Sequence, residues 1–232
     1  MLSKEQINFL NRYCGNRWEE TSDGIDVKGD VNLSYKNLTK IPVKFNIVNG
    51  SFSCYYNQLT SLKGCPKKVN GNFYCWNNQL TSLKGCPKEV HGNFDCSDNK
   101  LTSLEGCPTT VKGGFSCSYN PQLTSLKGCP TIVNRNFYCS NNQLTSLKGC
   151  PTTVNGDFDF SNNPIITYKH LKDVKIKFHV HYSIHISFNN LYLNKYELCD
   201  IEQYIPKNKL ILNNNRCENN MMALASLIKA KY

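Results

Sequence analysis

The sequence predicts an α/β-type repeat solenoid: an elongated stack of short parallel strands with a small cap at each end. Three observations carry this. A block of 21 residues recurs, almost word for word, between residues 52 and 157. A fixed period of this size marks a chain whose units bury their apolar faces only against their neighbours. Within each block Phe and Cys sit two apart, as in Phe73-Tyr74-Cys75, the alternation of a strand with one buried face. Both ends then leave the repeat but keep amphipathic patterns, as closing caps do.

Residues 1–30 read as the N-terminal cap. Ser3 and Gln6 have the spacing of a capping box, opening a helix through about Tyr13 with Ile7, Phe9 and Leu10 apolar. Ile25, Val27, Val31 and Leu33 alternate as strands. The solenoid spans 31–177 in seven units, the first (31–51, with Lys36 where the others have Asn) and the last (158–177) divergent. Unit 115–136 carries one inserted residue, Pro121. Residues 178–232 read as the C-terminal cap. There the run from Lys175 to Phe188 alternates, with Phe178 and Val180 expected to continue the inward pair. Leu210 to Leu212 reads as one more strand and 220–231 as a closing helix.

The consensus, FxCxxNxLTSLxGCPxxVxGN, resembles the leucine-rich repeat LxxLxLxxNxL, with Phe and Cys in two of the Leu positions. The resemblance implies a curved parallel sheet on a concave face and short irregular segments on the convex face. It implies that Asn57, Asn78, Asn99, Asn120, Asn142 and Asn163 form a structural ladder, bonding the backbone of adjacent turns. The wording of the repeat is most similar to short leucine-rich-repeat proteins of tailed phages and large DNA viruses. That implies a viral protein engaging a host protein.

Thirteen cysteines would suggest a disulfide scaffold in a secreted chain. Ten of them, however, fall at two repeat positions, one starting at Cys54 and one at Cys65. A residue recurring once per turn forms a core column, so they read as buried, reduced thiols. No CxxC pair offers zinc-ligand spacing. The net charge of +10 permits nucleic-acid binding, although only four of the 27 basic residues are Arg. No apolar run is long enough for a transmembrane helix, and the first residues lack the apolar stretch of a signal peptide. The expected location is therefore cytoplasmic, with no membrane partner.

Candidate partner-binding residues lie between the inward positions: Tyr55, Tyr56, Tyr74, Trp76, Asp95, Asp98, Tyr119 and Tyr138. Four of the aromatics fall on adjacent units, where strand spacing brings them within about 5 to 10 Å. Clustered exposed aromatics are the usual energetic centres of interfaces. Lys63, Lys84, Lys127 and Lys148 form a convex column, interrupted by Glu105, with Lys44, Lys67, Lys68 and Lys88 nearby. A phosphate backbone could track this stripe, or it is a solvated face. His179, His181 and His185 share one strand face; one metal could bridge the first two, but His185 lies too far along, and two ligands without a nearby Cys or carboxylate make a poor site. Asp95, Asp98, Asp157 and Asp159 are expected on an open sheet with no burial to tune them. No nucleophile elbow, phosphate loop or HExxH motif occurs. The reading is a non-enzymatic protein-binding module with no cofactor and no metal. Lys-mediated nucleic-acid binding and a structural or assembly role are the alternatives.

Overall fold

A computed structural model describes residues 1–165 and the strands Lys175–Ile176, Ile184–Ile186 and Leu210–Leu212. It shows stacked parallel strands repeating every 21 residues, with one helix at the N-terminal end. That helix, α1 (Lys4–Cys14), is opened by the Ser3/Gln6 capping box, and it buries Leu10 and Cys14. An antiparallel pair, β1 (Trp18–Thr21) and β2 (Gly24–Val27), leads into the stack.

The main sheet has nine parallel strands. It runs from Val31–Asn32 through Phe52–Ser53, Phe73–Tyr74, Phe94–Asp95, Phe115–Ser116, Phe137–Tyr138 and Phe158–Asp159 to Ile184–Ile186 and Leu210–Leu212. Register is exact from turn to turn, Phe on Phe. The Phe rings therefore stack along the axis. Phe52 to Phe73 is 5.7 Å between centroids at 8°, and Phe73 to Phe94 is 5.5 Å at 10°. The Cys column from Cys54 to Cys139 and the two Leu columns, Leu59 and Leu62 onward, are fully buried beside them.

The segment after Gly-Cys-Pro, expected to be irregular, carries a second short strand. Lys68–Val69, Glu89–Val90 and Thr110–Val111 continue the sheet of β1, β2 and Phe45–Val48. Ile132–Val133, Thr153–Val154 and Lys175–Ile176 form a separate three-stranded sheet. The break between Val111 and Ile132 coincides with the turn lengthened by Pro121. Val69, Val90, Val111, Val133 and Val154 of these strands are buried in the core. A two-residue strand shows no alternation, so periodicity could not reveal it.

The corner joining the two strands of a turn is tight. A Cβ on Gly92 would collide with the Asn72 Oδ1 of the preceding turn. Glycine there lets neighbouring turns hydrogen-bond directly, Gly92 N to Gly71 O at 2.8 Å.

At the C-terminal end the register differs from expectation. Ile184, not Phe178, lies opposite Phe158, while Ile176 lies opposite Val154. The alternating run is thus split between two sheets. Val69 and Phe73 are four residues apart in a regular turn, whereas Ile176 and Ile184 are eight apart. Phe178, Val180, His179, His181 and the helix expected at 220–231 lie outside the described residues.

Candidate functional site

The Asn column lies inside the stack. Asn99 Nδ2 donates to Cys75 O (3.1 Å), Cys96 O (3.2 Å) and Ser97 O (3.0 Å), while its Oδ1 accepts from Leu80 N at 3.0 Å. Asn57, Asn78, Asn120, Asn142 and Asn163 bond carbonyls of their own and the preceding turn in the same way. These bonds satisfy backbone groups that the strand-to-loop transition would leave unpaired. A second ladder, missed in the sequence, runs along the corner. There Asn72 Oδ1 accepts from Asn93 N and Asn93 Oδ1 from Gly114 N, both at 2.8 Å. The Asn closing each Gly-Asn pair was its signal.

The residue before each ladder Asn has positive φ, Tyr56 (50°), Asn77 (52°), Asp98 (52°), Tyr119 (55°), Asn141 (57°) and Asn162 (54°), and so does Tyr35 (57°), which holds the same repeat position before Lys36. Asn and Asp accept this conformation readily; Tyr does so at a cost. The alternation of Asn, Asp and Tyr in one column was a legible sign of left-handed backbone.

Two of these tyrosines belong to an aromatic cluster. Tyr55 stacks on Trp76 at 4.6 Å and 8°, and Tyr35 stacks on Tyr56 at 4.5 Å and 14°. Tyr56 meets Trp76 edge-on at 4.7 Å, and Tyr35 meets Tyr55 at 5.4 Å. Tyr35 is 61% exposed and Tyr56 39%; Tyr55 and Trp76 are half-buried. Tyr35 was not among the candidates, because its unit diverges, yet it occupies the same repeat position as Tyr56.

Tyr74 is not part of that cluster. It lines a cavity of about 700 Å³ with Asp95, Ser116, Arg135 and Tyr138. Tyr74, Asp95, Ser116 and Tyr138 occupy successive rungs of the main sheet, so two tyrosines bracket two small residues. Asn136 Nδ2 donates to Tyr138 Oη. Asp95 Oδ1 accepts from Ser97 N at 2.9 Å, and the Ser97 and Ser116 hydroxyls bond at 2.7 Å. The expectation of untuned carboxylates needs correction here. Burial raises the pKa of Asp95 from its ordinary value, against hydrogen bonds from Ser97 that lower it, and burial also raises that of Asp98. Tyr119 stands apart, 55% exposed. The serines that follow the Cys column, Ser97, Ser118, Ser140 and Ser161, are buried rather than presented to a partner.

All eleven cysteines among the described residues are free thiols, nine of them buried. Burial pushes Cys86 up to about 12. Such thiols are protonated at neutral pH and unreactive. Lys127 pairs with Glu105 at 2.7 Å and Lys68 with Glu89 at 3.1 Å, so the convex lysine stripe is partly neutralised. Among the described residues no group of three or more His, Cys, Asp or Glu is placed to hold a metal ion. No described helix is long and apolar enough to cross a membrane.

No protein-family model matches the chain, and no curated protein matches it significantly.

Proposed function

We propose that this solenoid is a leucine-rich-repeat-type, non-enzymatic binding module that holds a protein partner against the aromatic cluster of Tyr35, Tyr55, Tyr56 and Trp76. The cluster itself carries the reading. Four large rings contact one another over three successive turns, and two of them are held in left-handed backbone. Other turns meet the same backbone requirement with Asn or Asp, so tyrosine there is not needed for folding. Rigid, partly exposed aromatic clusters are typical binding centres. The wording of the repeat resembles that of short phage and large-virus repeat proteins, and on that resemblance we take the partner to be a host protein, met in the host cytoplasm.

Affinity capture from the native cell, followed by titration with the captured partner, tests this. Trp76→Ala is expected to keep the fold and weaken binding by about 2 kcal/mol or more. Lys84→Glu with Lys148→Glu is expected to change it little. Full affinity in Trp76→Ala, with a salt-dependent loss in the lysine variant, would overturn the reading in favour of a nucleic-acid partner.

A further inference from the structure

The segment after each Gly-Cys-Pro changes character along the stack. It reads Lys67-Lys68 and Lys88-Glu89 first, then Thr109-Thr110, Thr131-Ile132 and Thr152-Thr153. Lys88 N donates to Lys67 O at 2.8 Å, which sets the two on successive rungs. One position along, the charges alternate and pair, Lys68 with Glu89. Lys67 and Lys88 thus place two like charges on adjacent turns, the first offset by Asp23. The later turns carry Thr at the same position. In a chain whose units are otherwise nearly identical, that local departure points to a task for the lysines.

Lys67 and Lys88, together with Lys40, Lys44 and Lys63, rim a cavity of about 720 Å³. Ile41, Pro42, Val43 and Pro66 also line it, and no acidic side chain does. Gln6 of α1 closes one side, donating to Pro42 O at 2.8 Å. Lys67 has an acidic partner, Asp23 at 3.2 Å. Among the described residues the other four ammonium groups make no ion pair. The volume suits a small organic ligand. Four free ammonium groups around it match the charge of roughly two or three phosphate groups. Lys binds phosphate as a point charge and, unlike Arg, requires no planar fork of acceptors.

We propose that this cavity binds a compact polyphosphorylated anion, its phosphates on the lysine rim and its scaffold on the apolar lining. The site is separate from the aromatic cluster and does not depend on it. The test uses the full chain and sodium tripolyphosphate as the probe, by calorimetric titration at low salt. Saturable binding is expected. The double variant Lys44→Gln/Lys63→Gln should weaken it about tenfold or more, because charge-assisted contacts are lost. The control Lys112→Gln/Lys148→Gln removes the same charge outside the cavity and should bind like the original chain. All four side chains are exposed, and melting curves verify that both variants fold. Equal weakening in the two variants would reduce the effect to net charge and overturn the proposal. So would the absence of saturable binding, or binding of single-stranded DNA without binding of tripolyphosphate, which would indicate an extended electrostatic track instead.

Discussion

Raising the pH should unfold this protein well before its lysines lose their charge. Seven cysteines, Cys65, Cys75, Cys86, Cys96, Cys107, Cys117 and Cys139, are buried, and burial holds their thiol pKa values far above the ordinary range. In the unfolded chain the same thiols ionise near pH ~8.5. A group whose folded pKa is raised contributes stability that is fully present below its unfolded pKa. The contribution is lost as pH rises from there toward the folded pKa. At about pH 9.5, one unit above the unfolded value, each such thiol has cost about 1.4 kcal/mol. Seven together remove about 10 kcal/mol, which is comparable with the whole stability of an ordinary domain. Below about pH 8 the combined loss is only about 1 kcal/mol. The assay is urea unfolding at intervals between pH 7.5 and 10, with a phosphine reductant to prevent oxidation. Stability should fall ever more steeply, approaching a slope of about seven protons per molecule. Replacing Cys75, Cys96 and Cys117 together by Ala should lower stability at pH 7.5 through lost packing, yet make the alkaline slope shallower by about three protons. A slope of fewer than about two protons in the original chain would refute the reasoning.

Three further variants probe single positions of the repeat. Asn99→Ala leaves the buried Leu80 N–H without its acceptor and takes one donor each from Cys75 O, Cys96 O and Ser97 O, which keep Asn78 Nδ2, Asn120 Nδ2 and Asn77 N; it should cost about 1 to 3 kcal/mol in urea unfolding. Lys127→Ala, at a surface ion pair, should cost under about 0.5 kcal/mol in the same assay. Tyr119→Asn should stabilise the fold by about 0.5 to 1 kcal/mol, read as a higher melting temperature, because Asn accepts the positive φ that Tyr119 holds. A lower melting temperature would mean that the Tyr119 ring makes a compensating contact.

The core was legible because it repeats. Phe52, Cys54, Leu59 and Leu62 recur at fixed offsets, and a residue that recurs once per turn can only form a column. Val69 recurs as faithfully, but its strand is two residues long and leaves no alternation to read. At the C-terminal end the offset between the Val and Phe columns doubles, so Ile184 could not be placed from spacing, and Phe178 was the natural wrong choice. The aromatic candidates separated in space for a related reason. Tyr55 and Trp76 follow the Cys column, whereas Tyr74 precedes it on the strand and so faces the cavity with Asp95 and Tyr138. Tyr35 escaped notice because its unit departs from the repeat on both sides, with Leu33 in the Cys column and Lys36 in place of the ladder Asn. Asp95 shares its cavity with residues of other turns, among them Tyr74, Ser116 and Tyr138, and no single unit contains that information.

The break in the outer ladder has a thermodynamic consequence. Turns on either side of Pro121 share the main sheet, from Phe115 to Phe137, but between Val111 and Ile132 they share no second ladder. In a one-dimensional stack, total stability is a sum over junctions between neighbours, and the weakest junction decides where cooperativity divides. Turns before and after this seam are therefore coupled less tightly than any other adjacent pair in the described stack. Amide exchange should report two blocks with different opening free energies, divided between residues 112 and 131. The single inserted proline would then mark the boundary between two folding units within one continuous sheet.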